Sequence, residues 1–274
     1  MSLYLLTAFP KTEYGGNKAG VYLDADNLTE KEMKKIAKDV GFSETAFVMK
    51  SDVADFRVRF FTPTNEVDLC GHATIATFNL LRDLKVIEVG TYTQETKAGV
   101  LKLIIKKDEV FMEQVLPEFY EELSYSDIST CFSNSHYTND DLPIQIVSTG
   151  IKEIFLPVKD TKTLNKLKPN FEEIIEVSIR HNVIGIHAFT LAEDCDAYGR
   201  NFAPVVGIKE ESATGTSNGA LGCYIYKHAN KKEKYVLRQG YAMDLPSEII
   251  TKLEIKDNEI KKVLVGGSAR IIKE

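Results

Sequence analysis

The stretch from Arg57 to Thr77 runs RVRFFTPTNEVDLCGHATIAT. Its first part alternates Phe56, Val58 and Phe60 with Arg57 and Arg59, the period-2 pattern of a half-buried strand. Thr62-Pro63 breaks that pattern with a turn signal. Cys70-Gly71-His72-Ala73 then opens a run in which Ala73, Ala76, Leu80 and Leu81 fall on one helical face. A strand, a turn and a glycine-opened helix bring several backbone N–H groups to one point, a natural place for a carboxylate.

The same construction returns later in the chain. Arg200-Asn-Phe-Ala-Pro204 echoes Arg59-Phe-Phe-Thr-Pro63, and the run from Ala213 to Gly222 echoes that from Leu69 to Thr77. From proline to central glycine is 8 residues in the first copy (71 − 63) and 11 in the second (215 − 204). A repeat at so long a period predicts two duplicated lobes rather than a solenoid.

Composition narrows the function classes. Of 274 residues, 43% are apolar and 27% charged, the balance of a soluble globular protein. A net charge of −6 offers no basic stripe for nucleic acid. No apolar run has the length of a membrane span, and the N-terminus reads as a strand over Leu3–Phe9 rather than as a leader. Cys70, Cys131, Cys195 and Cys223 form no C-x-x-C pair, which suits reduced thiols in a cytoplasm better than disulfides or zinc.

Outward from the central stretch, Tyr14 to Val21 reads as a glycine-rich loop without the Lys-Ser/Thr of a phosphate-binding loop. Thr29 and Glu32 predict a capping box for a helix carrying Met33, Ile36, Ala37 and Val40, with Gly41 as its stop. That helix delivers Glu44 between apolar residues, either as an exposed glutamate at a strand edge or, if buried, as a carboxylate that can exchange protons near neutral pH. Gly99–Lys107 and Glu109–Val115 read as a hairpin, and residues 117–141 as a connection. Strands follow at Leu142–Ser148 and Glu153–Val158. A helix after Pro169 has Phe171, Ile174, Ile175, Ser178 and Ile179 on one side, and Val183–Leu191 is a strand. The histidines at 136, 181, 187 and 228 have no mutual ligand spacing and read as surface or core residues. Glu210 and Glu211 precede the second glycine-opened helix, as capping charges or as a carboxylate in a cleft. The rest, including Gln239–Ser247, reads as strands.

Taken together, these motifs resemble the PhzF-type, or phenazine-biosynthesis-like, family, whose fold is that of diaminopimelate epimerase. The likeness rests on Gly16-Asn17-Lys18-Ala19-Gly20-Val21, Ser43-Glu44-Thr45-Ala46-Phe47-Val48, Arg59–Pro63 and Cys70-Gly-His-Ala-Thr74. It continues through Ala213–Thr216, Gln239–Met243 with Pro246-Ser247, and Val265-Gly-Gly-Ser-Ala269. It spans nearly the whole chain.

The resemblance implies an α+β protein of two pseudo-symmetric lobes, each a mixed β-sheet wrapped around a central helix, with the active site in the cleft between them. The lobes would be 1–118 and 119–274, with the closing strand 262–274 free to return to the first. It further implies isomerisation by proton relocation on a small conjugated or cyclic amino-acid-like carboxylate, without metal or cofactor. Glu44 matches the family's general acid/base, and His72 and Glu211 complete the catalytic set. Asn17, Gly71, Ala73, Gly215 and Thr216 fall at substrate-binding positions. Homodimers are frequent among such proteins, and no nucleic-acid or membrane partner is expected. Three positions depart from the family's pattern: Glu211 replaces an aspartate, Lys18 a proline and Leu245 an arginine. The alternatives are an amino-acid racemase or epimerase, and a metabolite-binding protein without turnover. A two-base epimerase of the related fold uses a cysteine from each lobe. Here Cys70 has Thr214 as its counterpart, and a hydroxyl is too weakly acidic to replace a thiolate.

Overall fold

The computed structural model describes residues 3–133 and 136–272. The chain divides into two compact units, one formed by residues up to Glu113 together with those from Gly266 onward, the other by Gln114–Val265.

In the first unit the chain runs through β1 (Leu3–Ala8), β2 (Asn17–Tyr22), α1 (Glu30–Val40), β3 (Glu44–Met49), β4 (Phe56–Phe61), β5 (Glu66–Val67), α2 (Gly71–Asp83), β6 (Gly90–Thr96), β7 (Gly99–Ile105) and β8 (Val110–Gln114). The capping box forms as the sequence predicts: the Thr29 hydroxyl accepts from the Glu32 backbone, and Glu32 accepts from Thr29 N–H. Gly41 ends α1 at φ 71°, a left-handed conformation that costs glycine little. The stretch expected as a glycine-rich loop is a loop only to Gly16, because Asn17 onward pairs with β1 as strand β2.

The second unit contains β9 (Glu118–Leu123), α3 (Tyr125–Ile128), β10 (Ile144–Ser148), β11 (Lys152–Pro157), α4 (Thr161–Asn165), α5 (Phe171–Arg180), β12 (Ile186–Leu191), β13 (Ala197–Ala203), β14 (Ile208–Glu211), α6 (Gly215–His228), β15 (Lys234–Gln239) and β16 (Ser247–Lys256). Then follow β17 (Glu259–Gly267) and β18 (Ala269–Ile271). Residues 117–141 are more than a connection: they hold β9, which pairs antiparallel with β10, and α3, which Ser124 caps. Between Gln239 and Ser247 a 3₁₀ turn at Tyr241–Met243 replaces the expected strand, since Gly240 and Asp244 both take positive φ. On α5, Val177 rather than Ile179 faces inward; Ile179 is 69% exposed.

The duplication is plain in the pairing. From β1 the neighbours run β2 antiparallel, β3 parallel, β4 antiparallel, β6 parallel and β7 antiparallel. From β10 the same senses recur through β11, β12, β13, β15 and β16. A mixed sheet thus wraps one long helix in each unit, α2 in the first and α6 in the second.

Neither helix has a solvent face over its middle. Residues His72–Leu81 of α2 and Ser217–Tyr226 of α6 are all buried, so the one-sided stripe read from Ala73, Ala76, Leu80 and Leu81 is part of an all-round buried surface. Their polar side chains bond back to the helix: Thr77 Oγ1 donates to Ala73 O (2.8 Å), Asn79 Nδ2 to Ile75 O (2.8 Å) and Asn218 Nδ2 to Thr214 O (2.9 Å). Such bonds satisfy the Thr77 hydroxyl and the two amide NH₂ groups, while Asn79 Oδ1 and Asn218 Oδ1 stay buried without a hydrogen-bond partner. Close approach also shapes α6, where a Cβ at Gly222 would lie 2.5 Å from Thr251 Cγ2. Around α6 the second unit packs Val147, Phe155, Phe189, Tyr224, Tyr235 and Leu237. A separate cluster under α4 and α5 includes Ile154, Leu164, Ile174 and Val177.

Candidate active site

In the first unit, three elements end at one place. β2 begins at Asn17, β3 begins at Glu44, and α2 begins after its N-cap Cys70. β2 and β3 run parallel with Ala19 opposite Glu44, so both open at the same end of the sheet. Gly16 makes the entry to β2 possible at φ 93°; a Cβ there would stand 2.2 Å from Thr7 Oγ1.

The side chains converge on His72. Glu44 Oε2 lies 3.3 Å from His72 Nε2, with the Glu44 side chain 14% exposed and that of His72 3%. Asn17 Nδ2 lies 3.2 Å from His72 Nδ1, and Cys70 Sγ is 3.5 Å from the same nitrogen. With the amide placed so that its NH₂ meets the ring, Nδ1 accepts and the ring hydrogen sits on Nε2, on the side of Glu44. Glu44 Oε2 is buried without a hydrogen-bond partner, so its 3.3 Å approach to Nε2 is a close contact rather than a formed hydrogen bond. Gly71, His72 and Ala73 form the first helical turn of α2, whose N–H groups point out of the helix end.

Glu44, Cys70 and His72 also have ligand atoms within 4.8 Å of one another, a spacing that suits a cation. The same approach of carboxylate to imidazole also suits proton transfer between Glu44 and a bound molecule.

In the second unit, Glu211 ends β14 and Thr214 is the N-cap of α6. Thr214 Oγ1 donates to Glu211 Oε2 at 2.6 Å. Gln239 ties the turn together, donating to Glu211 O at 2.6 Å and accepting from Thr214 N–H at 3.2 Å and Asn218 Nδ2 at 2.7 Å. Gly215 and Thr216 follow as the first turn of α6. The neighbouring Glu210 is instead gripped by Arg200, whose Nε and Nη2 each donate to it at 2.8 Å. The first unit repeats this with Arg59 on Glu66 at 2.7 and 2.9 Å. Hydrogen bonding to Arg59 holds the Glu66 carboxyl down at about 2. Each arginine also stacks over the next-but-one phenylalanine, Phe61 at 5.1 Å and Phe202 at 4.9 Å.

Asn17, Glu44, Gly71, His72 and Ala73 are therefore neighbours in the first unit, and Glu211, Gly215 and Thr216 in the second. Sequence reasoning missed the clamp made by Gln239 and the contact of Cys70 with His72. The first depends on β15 returning beside β13, which no local pattern announces. The second was visible as the i, i+2 spacing of Cys70 and His72.

Over residues 6–274 the chain matches the model of the family described as phenazine biosynthesis-like protein. The chain belongs to that family. An uncharacterized isomerase of Clostridium acetobutylicum is 35% identical, with 99% of this chain and 96% of the relative covered. The crystal structure of a PhzF-family phenazine biosynthesis protein from Bacillus anthracis superposes with a TM-score of 0.90 at 31% identity, covering 99% of this chain and 96% of that one. A hydroxyproline epimerase from Agrobacterium vitis shares the fold at 13% identity and a TM-score of 0.63, over 98% of this chain and 90% of that one. The fold is thus the α+β, diaminopimelate epimerase-like one that the motifs implied. No described helix is long and apolar enough to cross a membrane.

Proposed function

We propose that this phenazine-biosynthesis-like protein is a cofactor-independent isomerase that relocates a proton on a small, conjugated or cyclic, amino-acid-like carboxylate. The observation that carries this reading is the meeting of Glu44, His72 and Asn17 at the start of α2. The names of its relatives, isomerases among them, support the reaction class.

Glu44 takes a proton from one carbon and returns it to another, so a single group serves as base and then as acid. His72, its Nε2 hydrogen oriented by Asn17, donates to Glu44 or to a substrate heteroatom. Glu211, held by Thr214, binds or polarises an amine or hydroxyl. Backbone N–H groups at Gly71 and Ala73, and at Gly215 and Thr216, hold the substrate carboxylate and the enolate charge that develops.

The epimerase reading is weaker because Thr214 stands where a second thiol is needed, and its hydroxyl is engaged by Glu211. Solvent exchange decides between the readings. The protein is incubated in D₂O with a panel of conjugated cyclic amino-acid carboxylates, and products are examined by NMR. Deuterium at a new carbon with a moved double bond is expected. Inversion at an α-carbon without double-bond movement would establish an epimerase, and binding without exchange a metabolite-binding protein.

A further inference from the structure

The register of the two units exposes a difference between their cores. With Arg59 aligned on Arg200 and Gly71 on Gly215, Ala19, Ala46, Phe60 and Ala73 correspond to Glu153, His187, Asn201 and Ser217. All eight residues are 1% exposed or less. One copy fills this place with an aromatic ring and three methyl groups, the other with a polar quartet.

Asn201 Nδ2 lies 2.6 Å from Glu153 Oε1, 3.1 Å from Ser217 Oγ and 3.3 Å from His187 Nδ1. Its two hydrogens serve Glu153 and His187, while the Ser217 side chain also bonds to Glu153. His187 is then protonated on Nε2, which has no hydrogen-bond partner and presses against Gly199, where a Cβ would lie 2.7 Å away. Burial holds His187 neutral, its affinity for a second proton reduced to about 3. Burial likewise lifts the Glu153 carboxyl to about 7. Below about pH 7 the quartet stores a proton and avoids the cost of a buried charge.

Glu211 is the charged group acting on Glu153, raising its proton affinity further. Asn201 pairs in register with Glu211 across β13 and β14, so the quartet and Glu211 lie on the same face of adjoining strands. Of the other elements around Glu153, β10 offers Val147 opposite it, β12 the neutral His187 and α6 Ser217. Electrostatic influence between two titrating groups is mutual.

We propose that Glu153 is a positioning residue for Glu211: while Glu153 is protonated, Glu211 stays anchored on Thr214, and ionisation of Glu153 disturbs that anchorage. The idea builds on the role given to Glu211 above, but its test needs no turnover. The full chain, labelled with [5-¹³C]glutamate, is titrated by carboxyl ¹³C NMR between pH 4 and 9. Glu211→Gln and Glu153→Gln identify the two signals by their loss. A Glu153 step near pH 7, mirrored by a shift of the Glu211 signal at the same midpoint, is expected, and Glu153→Gln should abolish the mirrored step. Ser217→Ala provides a second variant: without that hydroxyl, both midpoints should move upward together. A Glu153 signal titrating in the ordinary carboxylate range would overturn the proposal. A Glu211 signal without a step at the Glu153 midpoint would do so as well. Either result would leave the isomerase reading to be judged by its own exchange experiment.

Discussion

At the scale of single residues, His72 is the pivot, since its two ring nitrogens face different partners. If Glu44 moves the proton, Glu44→Gln keeps shape and polarity but cannot exchange it. Solvent-deuterium exchange should then fall by about 10²–10⁴-fold with little change in substrate affinity; equal exchange in both proteins would remove Glu44 from the mechanism. Asn17→Asp tests the tautomer. A carboxylate there accepts a hydrogen from Nδ1 while Nε2 keeps its own beside Glu44, so ¹⁵N NMR should report both ring nitrogens protonated and exchange should slow. Cys70→Ala should keep most activity, because the thiol touches the ring while its counterpart, Thr214, is no second thiol. Glu44 stood out by its apolar neighbours, whereas His72 and Asn17 were marked only through the motifs that resemble the family's. The quartet around Asn201 was not, because its members come from three strands and a helix and meet only through long-range register.

Elements were read with uneven success, for physical reasons. α1 was legible to its caps, since a capping box and a left-handed glycine are local chemistry. α5 was misread at one position: its apolar side chains exceed its buried face, and only packing selects among them. Ile179→Lys should therefore change stability by no more than about 0.5 kcal/mol, whereas Ile174→Ala on the covered face should cost about 2–5 kcal/mol. Chemical denaturation of the two variants distinguishes the faces. α6 depends on a missing side chain. Thr251 is β-branched and its hydroxyl donates to Asn218 O at 2.9 Å, so it yields poorly to a methyl group. Gly222→Ala should destabilise by about 1–3 kcal/mol, read as a lower melting temperature; an unchanged transition would mean that Thr251 can turn aside.

Across the whole molecule, buried titrating groups make stability depend on pH in opposite senses. Glu153 keeps its proton to about pH 7 when folded, whereas the unfolded chain loses it near 4.5. Stability therefore declines as pH rises between those values, by roughly 3 kcal/mol in total. His187 is protonated near pH 6.5 when unfolded but only near 3 when folded, so stability declines as pH falls through that window. Where the windows overlap, the two slopes oppose each other. Glu153→Gln should gain melting temperature over the parent at pH 8 relative to pH 5, and His187→Gln at pH 4 relative to pH 7. Differences independent of pH would refute both assignments. The two-lobed plan itself was readable from a repeated strand, turn and glycine. The pairing senses were not, because hydrogen-bond direction leaves no mark in a single strand's composition.

One pairing has a consequence for how the protein is made. β18 lies antiparallel to β1, with Leu6 opposite Ile271 and Ala8 opposite Ala269, and Phe9 N–H donates to Ser268 O at 2.8 Å. β1 thus leaves the ribosome long before β18, which pairs with it, while the intervening unit, continuous from Gln114 to Val265, can fold as it appears. Until β18 is made, β1 has one unpaired edge, the exposure that chaperones cover and that invites pairing between nascent chains on neighbouring ribosomes.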